Sequence, residues 1–156
     1  MIFFVSRYSD KIYERESWPK KVYFCDTGIP KIARFARDFG KLMENCVYIE
    51  LLRRTNESPM MEIYYYRNIY GWEVDFVIKE GARVAELLQV CFDIEKPLVR
   101  EREMKSLLQA SRVLKCDRLS VVTWNYKNQE QISGTGKKSK RKINFVPLWK
   151  WLLTTR

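Results

Sequence analysis

The sequence predicts an α/β domain whose centre runs helix, strand, strand, strand, helix, strand between about residue 40 and residue 125, with additions at both ends. Three observations carry that expectation. KLMENCVYIELLRR (41–54) repeats apolar residues at helical spacing. Three β-rich runs between 61 and 92 are separated only by tight turns. VREREMKSLLQASRVLK, after Pro97, is amphipathic and leads into the apolar run LSVVTW (119–124).

Residues 1–20 mix aromatics with charges and break at Pro19, which predicts an N-terminal extension to a main domain over 21–156. KVYFC (21–25) reads as a strand closed by the turn signal DTG. Pro30 can open a short helix over IARFARDF, ended by Gly40. In 41–54 the apolar positions 43, 47, 51 and 42, 46, 49, 52 predict a largely buried helix, which Asn56 and Pro59 stop. MEIYYYR (61–67) and WEVDFVIK (72–79) flank NIYG as a hairpin, and the KEG turn leads to RVAELLQVCF (83–92). In the second helix Met104, Leu107, Leu108, Ser111 and Leu114 face inward. A basic loop, a strand INFV (143–146) and a helical turn PLWKWLL close the chain.

Composition narrows the chemistry. With 46% hydrophobic and 14% aromatic residues the 156-residue chain can bury a core. No apolar run is long enough to span a membrane, which needs about 18 residues, and MIFFV soon meets charge, so a cytoplasmic protein is expected. The four cysteines, Cys25, Cys46, Cys91 and Cys116, have no metal-site or disulfide-framework spacing and are expected as free core thiols. There is no histidine, which removes His-dependent hydrolases and nearly all catalytic zinc sites and leaves carboxylates with a hard cation such as magnesium. GxxxxGK[ST] is absent. The net charge of +10 points to an anionic partner, and five positive charges fall in KKSKRK (137–142): Lys137, Lys138, Lys140, Arg141 and Lys142 are candidate nucleic-acid contacts, set against a merely solvated hairpin loop. Trp124, Trp149 and Trp151 are expected in core or interface packing rather than as base-stacking platforms.

Polar residues inside apolar strands mark the candidate site. Asp75 stands in VDFVI, and Gln89 shares a strand face with Leu87 and Cys91. Glu44 and Glu50 lie among apolar residues of the preceding helix. Asp75, Gln89 and Glu44 are expected to converge; the alternatives are that Asp75 caps a neighbouring helix or pairs with an arginine such as Arg53 or Arg67, and that Glu44 satisfies nearby backbone or Tyr48. A divalent cation there would activate water and clamp a phosphate. Glu86 points away from Gln89.

This arrangement resembles the restriction-endonuclease-like, PD-(D/E)XK fold. More closely, KVYFCDTGI (21–29), FGKLMENCVYIELLRR (39–54), IYYYRNIYGWEVDFVI (63–78), LLQVC (87–91) and PLWKWLL (147–153), in that order and spacing, resemble the C-terminal domain of unknown function of archaeal and bacterial P-loop ATPases. In that family an ATPase and a winged-helix segment come first, so residues 1–20 could be a remnant of the latter. The resemblance implies that Asp75 is the second-strand acid, Glu44 the helix glutamate, Gln89 a replacement for the third-strand acid, and Cys91 the occupant of the lysine position. A cysteine supplies neither the cation nor a hard ligand. Lys79, Arg102 and Lys105 are the candidate substitutes.

The expectation is therefore a nuclease-like domain with an impaired catalytic site, acting as a nucleic-acid or protein-binding module. One rival is an active, divergent magnesium-dependent DNA endonuclease with Asp75 and Gln89 as metal ligands. The other is a regulatory domain that binds a P-loop ATPase or forms a homo-oligomer, without nucleic acid. No membrane partner is expected.

Overall fold

A computed structural model describes residues 1–26, 38–133 and 140–154. Its centre is a six-stranded mixed sheet of order β3-β4-β5-β6-β8-β7: β3 (Met61–Arg67), β4 (Glu73–Glu80), β5 (Arg83–Cys91), β6 (Leu119–Thr123), β7 (Asn128–Ser133) and β8 (Lys140–Pro147). β3, β4 and β5 form an antiparallel meander, β5, β6 and β8 run parallel, and β7 closes the edge antiparallel. Helix α2 (Phe39–Glu57) covers one face and helix α3 (Pro97–Leu114) the other. The expected central order is present. The 72–79 strand begins one residue later, at Glu73. The short strand expected at 143–146 is the eight-residue β8, which gains length by pairing with β7. The helix expected from Pro30 lies outside the described residues.

Residues 1–20 contribute β1 (Ile2–Val5) and α1 (Ile12–Ser17). β1 pairs antiparallel with β2 (Lys21–Phe24), Val5 is buried, the Tyr8 amide donates to the Tyr65 carbonyl, and the Tyr65 amide donates to the Ser6 carbonyl. The stretch is thus packed against β3.

Helix α2 starts because the Asp38 carboxylate accepts from the Gly40 and Lys41 amides at 3.0 and 3.3 Å, satisfying two otherwise unbonded donors. It buries Met43, Val47 and Leu51, spaced one turn apart, with Tyr48 beside them. Helix α3 begins with Pro97, tolerated where no helical N–H is required, and ends at Lys115 in the left-handed conformation (φ 52°). α4 (Leu148–Leu153) returns to α2, where Arg54 lies 4.1 Å above the Trp151 ring.

The sheet separates two cores. Phe76, Ile78, Leu88 and Val122 pack with α2, while Val77, Leu87, Val121 and Phe145 pack with Leu107 and Ala110 of α3. Val74 and Val77 share the α3 side, which strict alternation forbids. The register explains it: Tyr64 pairs with Val77 and Tyr66 with Val74, so β4 carries one extra residue there. That bulge sits at Asp75.

Trp151 is buried in the core, whereas Trp124 and Trp149 are exposed and so are not core residues. Cys91 and Cys116 are buried and Cys46 half-buried; Cys25 is a correction, because it lies exposed just past β2. No described helix is long and apolar enough to cross a membrane.

Candidate functional site

At the bulged start of β4 the ladder to β5 opens. The paired register begins at Phe76 with Leu88, and beyond it side chains take over the bonding. Asp75 Oδ2 accepts from the Val90 amide at 2.9 Å, and the Asp75 amide donates to Gln89 Oε1 at 3.2 Å. The carboxylate and carboxamide therefore satisfy backbone groups that a continuous ladder would have used.

The other oxygen, Asp75 Oδ1, receives Lys21 Nζ at 2.8 Å. The same ammonium lies 3.0 Å from Glu44 Oε1 and 2.8 Å from Glu73 Oε1. Tyr23, two residues along β2 on the same side as Lys21, donates its hydroxyl to Glu44 Oε1 at 2.6 Å. Glu44 comes from α2, Glu73 and Asp75 from β4, and Lys21 and Tyr23 from β2. Asn45 fixes this approach: its side chain accepts from the Phe24 amide at 2.8 Å and donates to the Phe24 carbonyl at 3.0 Å, imitating a strand partner. A cavity of about 580 Å³ opens beside the cluster, reached past Lys41 and Leu42.

Electrostatics follow from this packing. Burial opposes the charge on Lys21, but Asp75, Glu44 and Glu73 outweigh it and hold its pKa above the ordinary lysine value. Burial and the Asp75 charge raise the Glu44 carboxyl, with Lys21 and Tyr23 drawing it back. Burial also pushes the Tyr23 phenol well up, helped by Glu44. Three carboxylates this close need a cation, and a lysine supplies it.

A second cluster lies towards α3. Gln89 Nε2 donates to Glu103 Oε2 at 2.7 Å, and Glu103 Oε1 takes Arg102 Nη2 at 2.5 Å. Burial raises the Glu103 carboxyl above its ordinary value, against the Arg102 bond. Burial and the neighbouring Glu103 charge push the Cys91 thiol up to about 12, so it stays protonated near neutral pH.

The structure brings Asp75 and Glu44 together through Lys21. Gln89 touches Asp75 only at the backbone and turns its amide to Glu103. The pairing of Asp75 with an arginine is not what is found: Arg53 bonds Glu50 and Glu57, and Arg67 approaches Glu73. The substitute cations are likewise engaged elsewhere, Lys79 with Glu62 at 2.5 Å, Arg102 with Glu103, and Lys105 with Glu101. Glu86 bonds Ser120 and Arg118, away from Gln89. Glu50 is held by Arg53 and Arg54. In the basic run, Lys137 and Lys138 lie outside the described residues. Lys140, Arg141 and Lys142 belong to β8. Arg141 is committed to Ser111, the Cys116 carbonyl and Asp117, while Lys142 is exposed.

Sequence reasoning missed Lys21, Tyr23, Glu73 and Glu103. Each left a signal. Lys21 and Tyr23 share a strand face, as do Glu73 and Asp75, and Glu103 stands four residues before Leu107 on the buried stripe of α3.

The residues do not fit a magnesium ion as they stand. The hard oxygens of Glu44, Glu73 and Asp75 are present, but the Lys21 ammonium occupies the point they share. Among the described residues no three His, Cys, Asp or Glu side chains are grouped to hold a metal.

The model of a domain of unknown function, DUF4143, matches residues 39–150. An uncharacterized protein of Methanocaldococcus jannaschii is 35% identical over 136 residues, covering 86% of this chain and 29% of that protein. The chain thus spans about three-tenths of the length of that curated relative. No solved structure matches it.

Proposed function

The chain belongs to the DUF4143 family, and from that premise we propose that it is a restriction-endonuclease-like module that binds nucleic acid without cutting it. The antiparallel meander β3-β4-β5, followed by α3 and the parallel β6, with α2 on the opposite face, supports that core. The observation that carries the loss of cleavage is Lys21, whose ammonium lies within 3.0 Å of three carboxylates at the start of β4. A divalent cation would have to displace a lysine whose charge those carboxylates stabilise, and separating them is costly at a largely buried site. Gln89 is spent on Asp75 and Glu103, and Cys91 is a neutral thiol. A net charge of +10 supports an anionic partner.

The test is to incubate the protein with plasmid and single-stranded DNA in magnesium or manganese, alongside calorimetric titration of each metal. No cleavage and no stoichiometric metal uptake near neutral pH are expected. Magnesium-dependent cleavage that disappears in Asp75→Ala would overturn the reading in favour of the active divergent nuclease.

A further inference from the structure

The three parallel strands β5, β6 and β8 end level with one another, Cys91 beside Thr123 and Thr123 beside Pro147. Each end is followed within two residues by an aromatic: Phe92, Trp124 and Trp149. Phe39, the first residue of α2, stacks on Phe92 with ring centroids 5.5 Å apart at 19°. Phe92 meets Trp124 at 5.7 Å and 46°. Phe39, Trp124 and Trp149 are 64%, 52% and 59% exposed. Single exposed apolar residues are ordinary, but Phe39, Phe92 and Trp124 form a connected row at one sheet end, with Trp149 just past the neighbouring strand end, and such a patch marks a binding surface. The carboxyl ends of parallel strands are also where open α/β sheets take ligands.

Charge agrees with the shape. Lys127, between Trp124 and β7, and Lys150, beside Trp149, place two positive charges at this end of the sheet, and the nearness of Lys127 lowers the Lys150 pKa. An anion near both would relieve their mutual repulsion. Of the acids near the row, Asp93 is paired with Lys96 at 2.7 Å, Glu103 with Arg102, and Asp38 caps the α2 amides, while Glu95 lines the hollow beside Trp124. Hollows of about 430 and 300 Å³ lie on either side of Phe92, the first shared with Cys91 and Glu103 of the candidate site, the second with Lys96 and Trp124.

We propose that this row is a stacking platform for the unpaired bases of single-stranded nucleic acid, with the phosphates directed to Lys127 and Lys150. It rests on the nucleic-acid-binding reading above and names the form of the strand. Unpaired bases offer free π-faces, whereas duplex bases are already stacked on each other.

Fluorescence anisotropy with labelled oligothymidylate, oligouridylate and a duplex, each about 20 nucleotides long, tests it. A single strand is expected to bind at least about tenfold more tightly than the duplex. Trp124→Ala should weaken that binding about tenfold with an unchanged melting temperature, and Trp124→Phe should restore most of it. Phe39→Ala gives the same readout from another element, and Lys127→Ala with Lys150→Ala should flatten the salt dependence. Duplex bound equally well, or single strands bound by Trp124→Ala and Phe39→Ala as by the unaltered protein, would overturn the platform while leaving nucleic-acid binding intact. No binding of any strand at low salt would overturn both. Self-association that Trp124→Ala abolishes, without strand binding, would assign the row to a second copy and also overturn the proposal.

Discussion

Replacing Lys21 by methionine keeps most of the side-chain volume and removes the one cation shared by Glu44, Glu73 and Asp75. Deleting one partner of a buried ion pair costs roughly 3–5 kcal/mol, because the remaining charge stays desolvated. Here the low end applies, about 3 kcal/mol, since about a fifth of the Lys21 side chain reaches solvent and Glu73 is partly exposed. For a chain of this size that corresponds to a fall of about 6–12 °C in melting temperature. The pH dependence gives a sharper check. Burial and Asp75 hold the folded Glu44 carboxyl above its ordinary value. Its contribution is therefore full below the unfolded value and is lost as pH rises through the folded one. Without Lys21 that loss deepens, so the penalty should be largest near pH 8 and shrink towards pH 5. Lys21 itself is charged across that range, because its folded pKa lies above the ordinary lysine value. Urea unfolding followed by far-ultraviolet circular dichroism at both pH values measures this. A penalty under about 1 kcal/mol at pH 8, or one that grows on acidification, would refute the account of Lys21 as the site's cation.

Gln89→Glu, the change that restores an acid to β5, should destabilise the fold by about 1–3 kcal/mol near neutral pH, because a second carboxylate would meet Glu103 and lose the donor it now has; both acids would be raised, so the loss should ease as pH falls, as chemical denaturation will read. Asn45→Ala leaves the Phe24 amide and carbonyl without their side-chain partner and should cost about 2–3 kcal/mol, with faster hydrogen exchange across β1 and β2. Iodoacetamide at pH 8 should modify the exposed Cys25 first in the native protein and Cys91 only after unfolding, as peptide mass spectrometry can follow; native labelling of Cys91 at the rate of Cys25 would contradict a buried thiol with a pKa pushed up to about 12.

Much of the fold was legible because it is written in local periodicity. The helical spacing of Met43, Val47 and Leu51, the β-rich runs on either side of NIYG, and Pro97 ahead of an amphipathic stretch each decide an element within its own dozen residues. Asp75, Glu44 and Gln89 were visible for a related reason, since a polar group inside an apolar run carries a desolvation cost that only function or bonding offsets. By itself, then, the sequence determined the central element order, the presence of two helices beside a sheet, and the residues that had to find polar partners, but not β1, α1 or β7. Which partners they found was decided by tertiary structure. A one-residue bulge in β4 sets the Asp75 carboxylate beside Glu44, while Gln89 turns to Glu103 on the other helix. Lys21, 54 residues before Asp75 in the chain, enters the cluster only because β1 and β2 form a ribbon held to α2 by Asn45. The exposed aromatic row is likewise assembled from separate segments: three strand ends that the parallel register makes level, and the start of α2, whose Phe39 stacks on Phe92. Strand alternation and helical period act over a few residues, whereas an ion pair across the fold depends on where whole elements are docked. That is why a lysine that reads as an ordinary strand start became the centre of the site.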